Sequence, residues 1–280
     1  MSEIRSVGIP SPRVEGEQKV GGDAVYAIDV VLPDMLWAKV LRSPIAHGRI
    51  KKIDAAKALA LPGVRAVVAG ADLAGAKIGK KIVDMPLLAD GVVRYVGEKI
   101  AAVAAESEAI AEAALDLIEV EYADLPIVTD ALEAMAPGAP LLHPNVAEYK
   151  GLLHKIETPS NVFVALHWKK GEVQEGFRQS DVVIENTFTV PAVHQAYIEP
   201  HSSLVRLNPD GTADIWSSNK SPFALRDQVG NALQVAPATM ACTPGNASAL
   251  AASIFFIRPW AIGLRKTLAQ SISGNTTSMA

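Results

Sequence analysis

The chain has 280 residues, 49% hydrophobic and 20% charged, enough to bury one large core and more readily two. A net charge of -4 and a pI near 5.9 argue against a general nucleic-acid or anionic-membrane binder. The lone cysteine, Cys242, excludes an internal disulfide framework and any CxxC metal or iron–sulfur site, and fits a reducing compartment.

An N-terminal arm, residues 1–18, carries Glu3 and Arg5 close to its start and has no apolar core segment, so no signal peptide is read. The longest apolar run, 247–257, contains two serines and falls short of the roughly 20 residues a membrane span needs. The expected location is cytoplasmic.

Residues 19–134 read as mixed α/β. The stretch 35–41 is rich in strand formers. Asp54 stands as N-cap of a short helix that Leu61-Pro62-Gly63 must end, because proline cannot continue the ladder and glycine supplies the turn. Strands follow at 64–69 and 99–104. Ser107 is the next N-cap; after it Ile110, Ala111, Ala114, Leu115 and Ile118 recur at helical spacing, with Glu108, Glu112 and Asp116 opposite. Residues 117–122 return to the sheet.

A linker, 135–160, is broken by Pro137, Gly138, Pro140, Pro144 and Pro159. A strand-rich region, 161–237, follows, with alternating or β-branched stretches at 161–168, 181–190 and 203–207. Asn208-Pro209-Asp210-Gly211 predicts a hairpin joining 204–207 to 212–217. Ser221-Pro222 is an N-cap with proline at the first helical position, and Phe223, Arg226, Val229, Leu233 and Gln234 carry that helix on.

The tail, 238–280, is of another kind. All 30 acidic residues lie at or before Asp227, whereas the density up to there predicts about seven more beyond it. Thr243-Pro-Gly-Asn-Ala-Ser is loop-like, and 257–260 fits no element. The expectation is an aberrant segment from a frameshifted or mis-joined reading frame, with a genuine short paralogue as the alternative.

Lys19-Val20-Gly21-Gly22-Asp23-Ala24-Val25-Tyr26-Ala27-Ile28-Asp29 and Leu41-Arg42-Ser43-Pro44-Ile45-Ala46-His47-Gly48-Arg49-Ile50 are joined by three further matches. These are Leu61-Pro62-Gly63-Val64, Val93-Arg94-Tyr95-Val96-Gly97-Glu98 and Ile118-Glu119-Val120-Glu121-Tyr122. In order and spacing they resemble the α/β hammerhead domain of the xanthine dehydrogenase/aldehyde oxidase family. Val193-His194-Gln195-Ala196-Tyr197-Ile198-Glu199-Pro200-His201, with Trp216-Ser-Ser-Asn-Lys-Ser-Pro222 and Leu225-Arg226-Asp227, resembles the start of that family's molybdopterin-binding domain. The resemblance runs from about residue 8 to 237. It implies an α+β fold class: a hammerhead domain followed by a truncated start of the mixed α/β molybdopterin-binding domain.

It also implies the N-terminal part of a large subunit whose molybdopterin–molybdenum cofactor hydroxylates aldehydes or N-heterocycles with water-derived oxygen. Electrons then leave through 2Fe-2S and FAD partner subunits. Two family features are not found: the glycine-rich GGxFGGK loop that should follow the helix after Ser221, and the glutamate base, which the family carries far beyond residue 280. The tail offers only isolated Gly245, Gly263 and Gly274. The expectation is a chain inactive alone; the alternatives are a non-catalytic assembly or interaction protein, or a pseudogene product.

The resemblance puts His194, Gln195, Tyr197 and Glu199 on the wall facing the cofactor. Many relatives place a glutamine six positions before the Glu, where this chain has Val193. The competing structural role is that Tyr197 and Glu199 brace a corner between strand and loop. His194, Glu199 and His201 match no zinc spacing, so no residue is assigned as a metal ligand, and none as catalytic. Arg42, His47 and Arg49 are read as a solvated turn, Gly97-Glu98 as a turn, and Asn219 and Lys220 as exposed capping residues. Ser203, Ser217 and Ser218 lack a nucleophile elbow, and no Walker or Rossmann signature occurs.

Overall fold

In the computed structural model the described residues are 8, 10, 12–73 and 75–245. A short helix α1 (Gly16–Gly21) closes on Gly22, whose left-handed backbone (φ 83°) lets its N–H reach the Gln18 carbonyl. Strands β1 (Trp37–Arg42) and β2 (Gly48–Asp54) precede helix α2 (Ala56–Ala60) and strand β3 (Val64–Ala69). Asp54 does serve this helix: its Oδ1 accepts the Ala56 N–H at 3.1 Å, although Ala55 occupies the N-cap position.

Short pieces β4 (Lys77–Ile78), β5 (Met85–Pro86) and β6 (Val92–Val93) lead to β7 (Lys99–Ala105), α3 (Glu108–Leu115) and β8 (Glu119–Asp124). Ser107 caps α3 as expected, its side chain accepting the Ile110 N–H. Two antiparallel three-stranded sheets result, ordered β1-β7-β3 and β6-β2-β8, beside a small β4-β5 pair. The middle strand β7 is buried along nearly all its length, which is why its sequence is a continuous apolar run and not an alternating one. Ala101 and Val103 pack under Ala58 of α2 and Ala114 of α3, while Ile100 packs with Val93 toward the second sheet.

Helix α4 (Ala131–Met135) is capped by Asp130, whose carboxylate accepts the Leu132 and Glu133 N–H groups at 2.8 and 2.9 Å. The proline-rich linker is tied down despite having little regular structure. Val146 and Tyr149 bury beside Ile82, and a single bridge joins Val83 to Lys150. Gly151 makes this close approach possible: a Cβ there would lie 1.8 Å from the Lys81 carbonyl oxygen.

The largest departure from expectation lies between 161 and 202. The alternating stretches 161–168 and 181–190 form no strands; one helix, α5 (Val173–Gln179), interrupts an otherwise irregular chain. Alternation specifies which face a strand would bury, but a strand needs a partner backbone, and no described strand pairs with these residues. Their apolar side chains stay in solvent: Trp168 is 91% exposed, Phe188 86% and Ile198 99%.

Order returns with β9 (Ser203–Leu207) and β10 (Ala213–Ser218), a hairpin whose turn is set by Gly211 at φ 83° and by Asp210 accepting the Thr212 N–H. Helix α6 (Pro222–Leu233) follows, with Pro222 at its start. The Ser221 side chain makes no capping bond; Asn219 instead accepts the Ser221 N–H at 2.6 Å. Strand β11 (Met240–Gly245) then lies parallel to β10, completing a β–α–β unit. Thr243, Pro244 and Gly245, expected in a loop, thus belong to a strand. The tail's first eight residues, 238–245, are described; 246–280 lie outside the described residues.

One apolar core joins the two regions. Val68, Leu73, Ile78, Leu87 and Leu88 come from the first, and Ile215, Leu225, Val229, Leu233 and Met240 from the second. No helix among the described residues is long and apolar enough to cross a membrane.

Candidate functional site

The corner before β9 is built from the end of β10. Ser218 is fully buried, and its hydroxyl donates to the Pro200 carbonyl at 2.9 Å and accepts the Ser202 N–H at 3.1 Å. Ser203 donates to the Ser217 hydroxyl at 3.0 Å. These short side chains fix where the chain leaves the sheet. Ser203, Ser217 and Ser218 are therefore structural.

Upstream of this anchor, Ala196 sits in the left-handed region (φ 53°), with its N–H donating to His194 Nδ1 at 3.1 Å. The resulting turn brings Tyr197 between two histidines. Its ring meets His194 edge-on at 5.0 Å and stacks on His201 at 4.8 Å. Of the four residues expected on a cofactor wall, His194 and Tyr197 touch, Gln195 is exposed, and Glu199 is half-buried.

Glu199 is the unusual member. Both carboxylate oxygens are shielded from solvent and have no hydrogen-bond partner among the described residues. Asn219, 1% exposed, uses its oxygen on Ser221 while its Nδ2 is likewise buried without a partner. Burying such groups unpaired costs free energy on the order of 1–3 kcal/mol each, more for a charge, so each calls for a partner. The exposure expected for Asn219 is thus overturned: it lies buried between the end of β10 and the start of α6. Lys220 alone is exposed there.

The donor set suits one wall of an organic ligand: imidazole, phenol, amide and carboxylate groups. No group of three or more His, Cys, Asp or Glu side chains gathers among the described residues.

The other candidates resolve structurally. His47 is buried and donates from Nδ1 to the Pro126 carbonyl at 2.6 Å, so the turn at 42–49 is not a solvated one at that residue. Arg42 donates to the Gly97 carbonyl, and Gly97 has the φ of 88° that the turn needs. Buried Glu98 braces the same turn by accepting the Arg94 N–H at 2.5 Å; burial pushes its carboxyl up. Burial, reinforced by the Arg42 charge, lowers the neighbouring Lys99 amine to about 8.

A model of the aldehyde oxidase and xanthine dehydrogenase a/b hammerhead domain matches residues 21–126, and one of the molybdopterin cofactor-binding domain matches 153–246. A probable xanthine dehydrogenase subunit of Bacillus subtilis is 36% identical over 224 residues, covering 80% of this chain and 28% of that protein. The nicotinate dehydrogenase large molybdopterin subunit of Eubacterium barkeri is 32% identical, with 82% of this chain and 51% of that protein covered. Among solved structures, a Cu,Mo-CO dehydrogenase superposes with a TM-score of 0.78 at 28% identity, over 92% of this chain and 34% of that one. Quinoline 2-oxidoreductase from Pseudomonas putida gives 0.72 at 30% identity, over 85% and 30%. The chain thus spans about half or less of the length of these relatives.

Proposed function

We propose a role for this chain from what it belongs to: the xanthine dehydrogenase/aldehyde oxidase family, with the α/β hammerhead domain and the start of the molybdopterin-binding domain. It supplies the opening part of a large subunit that hydroxylates an aldehyde or N-heterocycle with water-derived oxygen, passing electrons to 2Fe-2S and FAD subunits. Alone, it does not turn over. The bound molybdopterin–molybdenum group would supply the redox chemistry.

The residues of this chain would present one wall to that group. Asn219 Nδ2 and the Gln195 amide are hydrogen-bond donors, His194 donates from Nε2 because its Nδ1 accepts the Ala196 N–H, Tyr197 can donate or accept, and Glu199 accepts. The observation that carries this reading is Glu199, whose two buried oxygens await a partner. The GGxFGGK loop expected after α6 does not occur in the sequence, which offers only isolated Gly245, Gly263 and Gly274 there, and this supports inactivity of the chain alone. The aberrant-tail hypothesis concerns 238–280: if no other frame of the gene across codons 236–280 encodes a glycine-rich loop, it fails.

Joining residues 1–237 in frame to the downstream part of a relative's large subunit tests the wall. The joined chain should carry molybdenum and lose it on Glu199→Ala; molybdenum content indifferent to Glu199 would overturn the assignment. A second reading, a non-catalytic assembly or interaction protein, draws on the exposed apolar chain of 161–200. Binding of this chain to iron–sulfur or flavin subunits without molybdenum would favour it.

A further inference from the structure

Away from the molybdopterin-facing corner, the first region and the linker enclose a cavity of about 290 Å³ with a charged lining. Lys77 of β4, Asp84 just before β5, Arg94 just after β6, and Asn145 and Tyr149 of the linker turn converge on it. Gly70 at its edge admits no side chain, because a Cβ would lie 2.1 Å from the Ala89 carbonyl oxygen. At the lower end of the size range of ligand sites, the cavity fits a small molecule.

Its charges are fixed but do not neutralise one another. Arg94 is held by main-chain carbonyls, with Nε donating to Leu142 at 3.0 Å and Nη1 reaching Val92 at 3.5 Å. Lys77 Nζ rests 4.7 Å from the Tyr149 ring centroid. Asp84 has no hydrogen bond or ion pair among the described residues. It acts electrostatically on His143 and Tyr149 in the sense opposite to Arg94, so all four share one neighbourhood. A further polar wall is the chain in which His143 Nδ1 meets the Tyr149 hydroxyl at 2.8 Å, and that hydroxyl donates to Asn145 at 3.2 Å.

A simple anion entering here is opposed by Asp84 and by Asp90 at the rim; a simple cation is opposed by Lys77 and Arg94. A ligand bearing both signs meets both needs. We propose that this cavity binds a small zwitterion, one carboxylate and one ammonium group a few bonds apart. Arg94 and Lys77 receive the carboxylate, and Asp84 receives the ammonium. Asn145 and Tyr149 close the polar wall between them.

Calorimetric titration of the purified full chain with glycine, β-alanine and γ-aminobutyrate scans the charge separation one methylene at a time. Acetate and methylammonium serve as single-charge controls. One amino acid of the series should bind with a dissociation constant on the order of 1 mM and at least about tenfold tighter than either control. Asp84→Asn, which breaks no hydrogen bond, should weaken that binding about tenfold with an unchanged thermal midpoint. Arg94→Lys should do the same; if it unfolds the chain through its lost main-chain bonds, Asp84→Asn decides alone. Acetate or methylammonium binding as tightly as the amino acids, no binding by any of them, or full affinity in Asp84→Asn would each overturn the proposal.

Discussion

Replacing Leu225 by alanine probes the core that joins the two regions. Leu225 is 0% exposed on α6 and shares its cluster with Leu73, Leu88, Ile215 and Val229. Its neighbours sit on two sheet systems and a loop, so they cannot close over the space by one simple shift. Lost transfer energy and the residual cavity together put the cost at about 3–4 kcal/mol, a large share of a domain stability of roughly 5–15 kcal/mol. Trp37 on β1 and Trp216 on β10 report the two regions separately. Urea unfolding of Leu225→Ala, followed in variants retaining one reporter at a time, should lower both midpoints together. Leu88→Ala, from the other side of the cluster, should do the same, and the double variant should depart from additivity by more than about 0.5 kcal/mol. If Leu225→Ala moves the Trp216 transition and leaves the Trp37 transition at its original midpoint, the shared core is refuted.

The buried Lys99 amine, lowered to about 8 from 10.5, makes the folded state disfavour the charged form. Its penalty is complete below about pH 8 and is relieved as pH rises toward 10.5, so stability from this group should increase across that window. Lys99→Met should flatten the alkaline rise by an amount on the order of 3 kcal/mol at most, read from urea midpoints at successive pH values; an unaltered rise would contradict the assignment. Ser218→Ala leaves the Pro200 carbonyl and Ser202 N–H without that hydroxyl and should cost about 1–3 kcal/mol in thermal or urea unfolding. Trypsin should cut first near Lys169, Lys170 and Arg178, before any site in the hammerhead region, as mass spectrometry of early fragments would show. Phe188→Ser should change stability by less than about 0.5 kcal/mol while reducing binding of an apolar dye, since its ring lies in solvent.

What could be read from the sequence was what neighbours in the chain decide. Ser107, the strand 64–69 and the Asn208–Gly211 turn came out as expected because caps, β-branched runs and turn residues act over a few positions. The stretches 161–168 and 181–190 did not, because their alternation is a demand for a partner strand that the sequence pattern cannot supply. Helix α5 left no strong periodic signal in seven residues, and β11 was masked by Pro244 and Gly245, residues that ordinarily mark loops. His47 and Asn219 look like surface residues locally; tertiary neighbours bury them. For the same reason Glu199 could be named from its motif, but the isolation of its two oxygens could not. The charged cavity draws on residues from 70 to 149, a grouping no local pattern announces.

Metal analysis of the purified chain, paired with dye-coupled aldehyde oxidation, tests whether this chain holds molybdenum and turns over alone. A chain that carries the hammerhead domain and the proposed wall, without the glycine-rich loop, should hold far less than one molybdenum per chain and show no turnover. Stoichiometric molybdenum with aldehyde oxidation by this chain alone would contradict it.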